Sequence, residues 1–243
     1  RGLGDVYKRQ VADYPMDNII SSDSEPVVTH EYRTPVEVIT TPKGEKVLDF
    51  GQNMVGREIF TYKGRPGQEI VISHAEVLDE NGNFYTVNLR SAKAQSRYIC
   101  SGGEDRFEAS FTFYGFRYLK VEGLDGEIDP DDFKVAVIFS DLAETGSFSS
   151  SNDMVNQLQS NIQWGLRGNF VDIPTDCPQR DERLGWAGDA QVFFRTATFN
   201  RDVQSFFRKW LKDVSADQLP DGQVTDIIPM ITGLVGAGHT GWG

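Results

Sequence analysis

The sequence predicts a two-part β + α chain, a β-sandwich followed by helices. The period of the apolar residues changes near residue 145, from short alternating runs to a three-and-four spacing. Turn-forming groups such as Pro42-Lys43-Gly44 and Arg65-Pro66-Gly67 punctuate the first half at strand-length intervals. The 24 glycines of 243 residues fit a fold with many tight turns.

Strands are expected at Val36–Ile39, Lys46–Phe50, Glu58–Tyr62 and Glu69–Ser73, where β-branched and aromatic residues alternate with polar ones. Asp79-Glu80-Asn81-Gly82-Asn83 reads as a turn. Further strands are expected at Ser96–Cys100, Ala109–Thr112, Arg117–Glu122 and Phe133–Phe139, as in a sandwich or barrel. Helix begins after Gly146. Val155, Leu158, Ile162 and Leu166 form an apolar stripe, with Asn152 or a preceding serine as its cap. A second helix over Ala190–Phe199 is expected to bury Phe193, Phe194 and Ala197. A third over Val203–Leu211 is expected to bury Phe206, Phe207, Trp210 and Leu211. Asn200 either separates the two or lies on the surface of one long helix.

The formal charge is −12, from 24 basic and 36 acidic residues, which disfavours nucleic acid as a partner. Cys100 and Cys177 form neither a disulfide framework nor a zinc pattern. No run of 18 apolar residues is present, so no membrane span is expected. Residues 1–10, RGLGDVYKRQ, lack the apolar centre of a signal peptide and read as a non-native scar. Localisation stays open between periplasm, cytoplasm and exterior, as does oligomeric state. The expected division is 11–31 as a linker or the end of a preceding domain, 32–144 as the β domain, and 145–243 as a helical domain cut short. Three helices leave their apolar faces without a partner layer.

The informative segment is DIPTDCPQRDERLGWAGD, from Asp172 to Asp189. It sets Asp172, Asp176, Asp181, Glu182 and Asp189 beside Arg180 and Arg183, with Trp186 between glycines. A glycosidase needs one carboxyl that keeps its proton for the leaving oxygen, and a neighbouring carboxylate raises such a group. Arginines hold other carboxylates ionised. Tryptophan offers a flat face to a sugar ring. An arginine–carboxylate clamp between loop and helix, a binding pocket and an enzyme site all remain open on this chemistry. Adjacent side chains rarely face the same way, so Asp181 and Glu182 are expected to part company.

Asp176-Cys-Pro-Gln-Arg-Asp-Glu-Arg-Leu-Gly-Trp-Ala-Gly-Asp189-Ala-Gln191 closely resembles the motif of bacterial α-L-rhamnosidases of glycoside hydrolase family 78. Asp49-Phe-Gly-Gln-Asn-Met-Val-Gly56, His74-Ala-Glu-Val-Leu78, Tyr114-Gly-Phe-Arg-Tyr118, Lys209-Trp-Leu211 with Asp213, and Asp217-Gln218 with Asp221-Gly222 resemble further landmarks in the same order. The resemblance covers roughly residues 30 to 243. It implies a jelly-roll or concanavalin-like β-sandwich followed by the first helices of an (α/α)6 barrel, with the ending at Gly241-Trp242-Gly243 inside a longer stretch. It implies an inverting hydrolase that releases terminal α-L-rhamnose, with Glu182 as general acid. Asp176, Trp186 and Asp189 would line the sugar site, and Arg180 and Arg183 would be pocket or supporting groups. The family's general base, a distal glutamate, matches no residue here, so the chain alone is expected to be inactive. No cofactor and no metal are implied, and the partner is a rhamnose-containing glycan or glycoside.

The competing reading is a non-catalytic carbohydrate-binding or structural β module with a helical appendage. His74 is expected to be a hydrogen-bonded wall residue. Cys177 is expected to pack rather than react. Asp79, Asn81 and Asn83 only partly match a calcium turn. His239 sits among glycines, with a pocket role as a minor possibility.

Overall fold

The computed structural model describes residues 15–231 and 238–239. The scar read at residues 1–10 and the ending at residues 241–243 lie outside the described residues.

Among the described residues ten strands precede the first α-helix: β1 (Val27–Arg33), β2 (Glu37–Thr40), β3 (Lys46–Lys63), β4 (Glu69–Ala75), β5 (Val77–Leu78), β6 (Phe84–Tyr85), β7 (Gln95–Ile99), β8 (Glu104–Glu108), β9 (Tyr114–Glu122) and β10 (Phe133–Ser140). All but the small β5–β6 pair join one antiparallel sheet in the order β1-β10-β3-β9-β4-β7, with β2 and β8 also pairing with β3. The expected sandwich or barrel takes the form of one continuous curled, concanavalin-like sheet. The reason is β3, whose 18 residues merge two runs expected to be separate strands. Its first part lies between β2 and β9, its last between β10 and β8. The pairing with β9 skips between Asp49 and Met54, a bulge that bends the strand. Gly51 takes φ 73° there, and the Asp49 carboxylate accepts its N–H at 2.7 Å.

The same carboxylate takes both Arg117 Nε and Nη2 at 2.8 Å, tying the bulge to β9. Phe50, Phe60, Phe116 and Phe133 are at most 2% exposed and fill the sheet's core with Leu48, Ile70, Ile72 and Leu119. Gly56 has no room for a Cβ against the Ala136 carbonyl of β10. The strand expected at Ala109–Thr112 is not formed. β8 ends at Glu108, and Phe111 is an exposed residue at φ 57°. The sheet begins at Val27, within the stretch read as linker.

The helices are α1 (Asp153–Asn169), α2 (Ala187–Asn200) and α3 (Gln204–Asp217). No described helix is long and apolar enough to cross a membrane. Asn152 caps α1, its side-chain oxygen accepting the N–H groups of Met154 and Val155 at 2.9 and 3.3 Å. α1 lies against β3 and β10, with Gly168 close to Val55 and the Arg167 guanidinium over Phe139 and Trp164. Leu166, Phe170, Ala197, Phe206, Phe207 and Trp210 form the helical core, with Phe170 stacked on Phe206 at 4.6 Å. Leu158, Phe194 and Leu211, read as core-facing, are instead exposed. Phe194 nevertheless sets its ring edge-on to Phe207 of α3 at 4.8 Å. Asn200 ends α2 and is buried, its Oδ1 accepting from Gln159 and Gln163 at 2.8 Å.

Candidate active site

The dense segment connects the short hairpin of β11 (Phe170–Val171) and β12 (Ile173–Pro174) to α2. Asp176 closes its base: its N–H donates to the Leu184 carbonyl at 3.0 Å, and its Oδ1 accepts the Leu184 N–H at 2.7 Å. At the far end Gly185 exchanges a backbone bond with Ile228, whose N–H donates to the Gly185 carbonyl at 2.8 Å. A Cβ on Gly185 would collide with the Ile228 carbonyl oxygen, so the glycine is required by that approach.

Inside this frame the charged side chains sort into two directions. Glu182 turns inward and is 18% exposed. Its Oε1 accepts the Trp186 indole N–H at 3.1 Å. Its Oε2 accepts Arg180 Nε at 3.1 Å and Nη2 at 2.8 Å. Arg180 also donates to Cys177 Sγ at 3.1 Å, and the thiol donates to Asp176 Oδ2 at 2.8 Å. Asp181 turns the other way, as adjacency required, and takes the N–H and hydroxyl of Ser91. Arg183, at φ 59°, points to the β layer: Nη1 donates to the Phe113 carbonyl at 2.8 Å, and the guanidinium lies 4.7 Å over the Phe113 ring. In this position it bolts the loop to the sheet rather than facing Glu182.

The electrostatics depart from the sequence expectation at one point. Glu182 was expected to be raised by a neighbouring carboxylate. Burial does push it up, but the hydrogen bonds and charges of Arg180, helped by Cys177 and Arg90, outweigh burial and leave it below the usual glutamate value. The arginine–carboxylate clamp is therefore present, with Glu182 held by Arg180. Asp189 moves the opposite way, raised by burial and by the negative charges of Asp176 and Glu182. It sits at an exposed position, where solvent screens that effect. Burial and the Asp176 carboxylate push the Cys177 thiol up to about 12, as fits a packed, unreactive cysteine.

Asp176 lines two hollows. One, of about 240 Å³, lies among α1, Phe170, Phe193 and Asp189. The other, of about 370 Å³, lies between α1 and the β layer and carries Gln52, Asn53, Glu76, Trp164 and Gln179. Glu182, Arg180 and Trp186 line neither of these two. Among the described residues one trio has cation-binding spacing: donor atoms of Asp176, Cys177 and Glu182 lie within 4.8 Å of one another. The arginines already on Glu182 and the retained thiol proton oppose a metal there.

Both halves of the chain match known models. Residues 39–139 match the bacterial alpha-L-rhamnosidase concanavalin-like domain, and residues 143–243 match the bacterial alpha-L-rhamnosidase 6 hairpin glycosidase domain. The two halves together place the chain in the alpha-L-rhamnosidase family. A crystal structure of the Streptomyces avermitilis alpha-L-rhamnosidase complexed with L-rhamnose superposes with TM-score 0.88 at 41% identity, over 92% of this chain and 22% of that one. The Aspergillus terreus alpha-L-rhamnosidase gives TM-score 0.86 at 43% identity, over 91% and 26%. An alpha-L-rhamnosidase of Formosa agariphila is 45% identical over 81% of this chain and 22% of its own length. The chain spans about a fifth to a quarter of the curated relatives it matches.

The rhamnosidase-like landmarks acquire physical roles. Asp49 and Arg117 are one ion pair, and Gly115 is where Gln179 of the loop rests on β9. His74 is a buried wall residue, bonded to the Ala94 carbonyl at 2.8 Å and Glu58 at 3.1 Å. Asp79 Oδ1 accepts the N–H groups of Asn81 and Asn83, which makes that segment a self-bonded turn. His239 pairs with Asp226 at 2.7 Å. The sequence reading missed Arg90 and Ser91, which reach the loop from the connection after the 3₁₀ turn Val87–Leu89. Their only local cue is a basic residue at φ 55°, a conformation that composition does not reveal.

Proposed function

We propose that this chain is part of an inverting glycoside hydrolase of family 78 that releases terminal α-L-rhamnose, its helices belonging to an (α/α)6 barrel. The observation that carries this is the convergence of Glu182, Trp186, Asp176 and Asp189 within one backbone frame. Glu182 gives its proton to the glycosidic oxygen as the carbon–oxygen bond breaks. A water bonds to the sugar carbon from the opposite face and passes its proton to a carboxylate about 6.5–9.5 Å away. That second carboxylate is not assigned to any residue of this chain. Asp176 and Asp189 take sugar hydroxyls, and Trp186 offers its ring face. Arg180 orients Glu182, and Arg183 holds the loop on the sheet.

Asp189 is the second reading for the proton donor, because its carboxyl is raised where that of Glu182 is lowered. Rate measurements on a natural rhamnoside by the enzyme with its complete catalytic domain separate the two. Glu182→Gln is expected to lose the rate, and an activated aryl rhamnoside is expected to recover part of it. Asp189→Asn is expected to raise KM chiefly. Full activity of Glu182→Gln on the natural substrate would remove Glu182 from the role.

A further inference from the structure

We propose that Arg90, supplied by the β layer, is a displaceable counter-ion of Glu182: it pairs with the carboxylate in the empty site and yields its place when a glycoside enters. The inference rests on the reading of Glu182 as proton donor, and it assigns the β layer a part in the reaction.

The geometry singles out Arg90 from Arg180. Both reach Glu182 Oε2, Arg90 through Nη1 at 3.1 Å and Arg180 through two nitrogens. Arg180 lies two residues away on the same loop and is held again by the Cys177 sulfur. Arg90 comes from a different element, and its side chain is 52% exposed. Its other contact, to Asp181 Oδ1, is a loose 3.7 Å. Pairs of this exposed kind are weak and easily exchanged for water. The backbone beneath is better held, because Ser91 is bonded to Asp181 by its N–H and its hydroxyl and the Arg90 N–H reaches the Val87 carbonyl. The side chain can therefore leave while its anchor stays.

This departure favours a proton donor, because it lightens the positive charge on Oε2. With guanidinium groups on Oε2 and the indole N–H on Oε1, both oxygens of Glu182 already accept hydrogens. The groups facing it are Arg180, Cys177 and Asp176 on its own loop, Trp186 and Asp189 at the start of α2, and Arg90 with Asp181 toward the β layer. Removing Arg90 takes one cation off Oε2 and shifts the balance toward the protonated carboxyl, while Arg180 stays in place to hold and orient the group.

The test uses Arg90→Met and Arg90→Lys. In this chain with carboxyl-labelled glutamate, Glu182 (assigned with Glu182→Gln) is expected to titrate at higher pH in Arg90→Met and near the wild-type position in Arg90→Lys. In the enzyme with its complete catalytic domain, Arg90→Met is expected to move the alkaline limb of kcat/KM to higher pH and leave that of kcat in place. The first reports the free enzyme and the second the substrate complex. An unchanged titration of Glu182 overturns the pairing. An equal movement of both limbs overturns the displacement. Failure of Glu182 as donor shows separately, as full Glu182→Gln activity on a natural rhamnoside with the titration result intact.

Discussion

The β layer and the helical segment solve burial differently. In the sheet, Phe50, Phe60, Phe116 and Phe133 are almost completely buried, and the Cβ-free residues Gly56 and Gly115 let β10 and the loop at Gln179 approach. In the helices, Phe206 and Phe170 are buried, yet Val192, Phe199 and Leu211 stand in the open. A curled sheet can close over its own side chains. A row of helices buries its second face only against another row. Stability should therefore reside in the sheet, and chemistry in the loop where the two regions meet.

The sharpest challenge to that division is Glu182→Gln. It is expected to cost about 10²–10⁴ in turnover on a natural rhamnoside while barely moving the thermal midpoint. A large fall in stability instead would make Glu182 a structural clamp. Phe116→Ala should destabilise the sheet by about 3–5 kcal/mol, read from urea unfolding, because it opens a cavity beside Phe50. Arg183→Met removes the bond to the Phe113 carbonyl and should cost about 1.5–3 kcal/mol. It should also loosen the loop, seen as faster amide exchange at residues 176–186.

Asp49 tests the sheet through pH. Burial raises its carboxyl, but the Arg117 pair and the Gly51 N–H overcome that and hold it below the ordinary aspartate value. A lowered carboxyl contributes stability above its unfolded value and loses it as pH falls through the folded one. The wild type should thus lose stability in acid more steeply than Asp49→Asn, in unfolding curves taken below the ordinary aspartate range. The smallest effect is expected at Val192→Ser, where the side chain is 81% exposed, within about 0.5 kcal/mol in this chain. A loss as large as that of Phe116→Ala would break the contrast between the two regions.

Legibility followed the range of the interactions. The cap at Asn152, the helical stripe ending at Leu166 and the core strands around Phe116 and Phe133 depend on neighbours a few residues away. The merged β3 was missed because Gly51-Gln52-Asn53 has the composition of a turn, while in the fold it is a bulge held by Asp49 and Arg117. Phe194 and Leu211 follow the helical period, but period says only which face is apolar, not whether anything covers it.

At the site, composition left a clamp, a pocket and an enzyme site all open, and it was the resemblance of the motif to the rhamnosidases that singled out Asp176, Arg180, Glu182, Trp186 and Asp189 as a group. Direction came from the folded chain. The lowering of Glu182 comes chiefly from Arg180, two residues away but turned onto it by the fold. Whether Arg183 faced the pocket or Phe113, and that Arg90 stood beside Glu182, depended on contacts between residues 70 to 92 positions apart. Such contacts are set by how β9 and the Val87–Leu89 turn pack under the loop. Charges and apolar periods are written residue by residue, whereas the field at a carboxylate is the sum over whatever the fold brings near it.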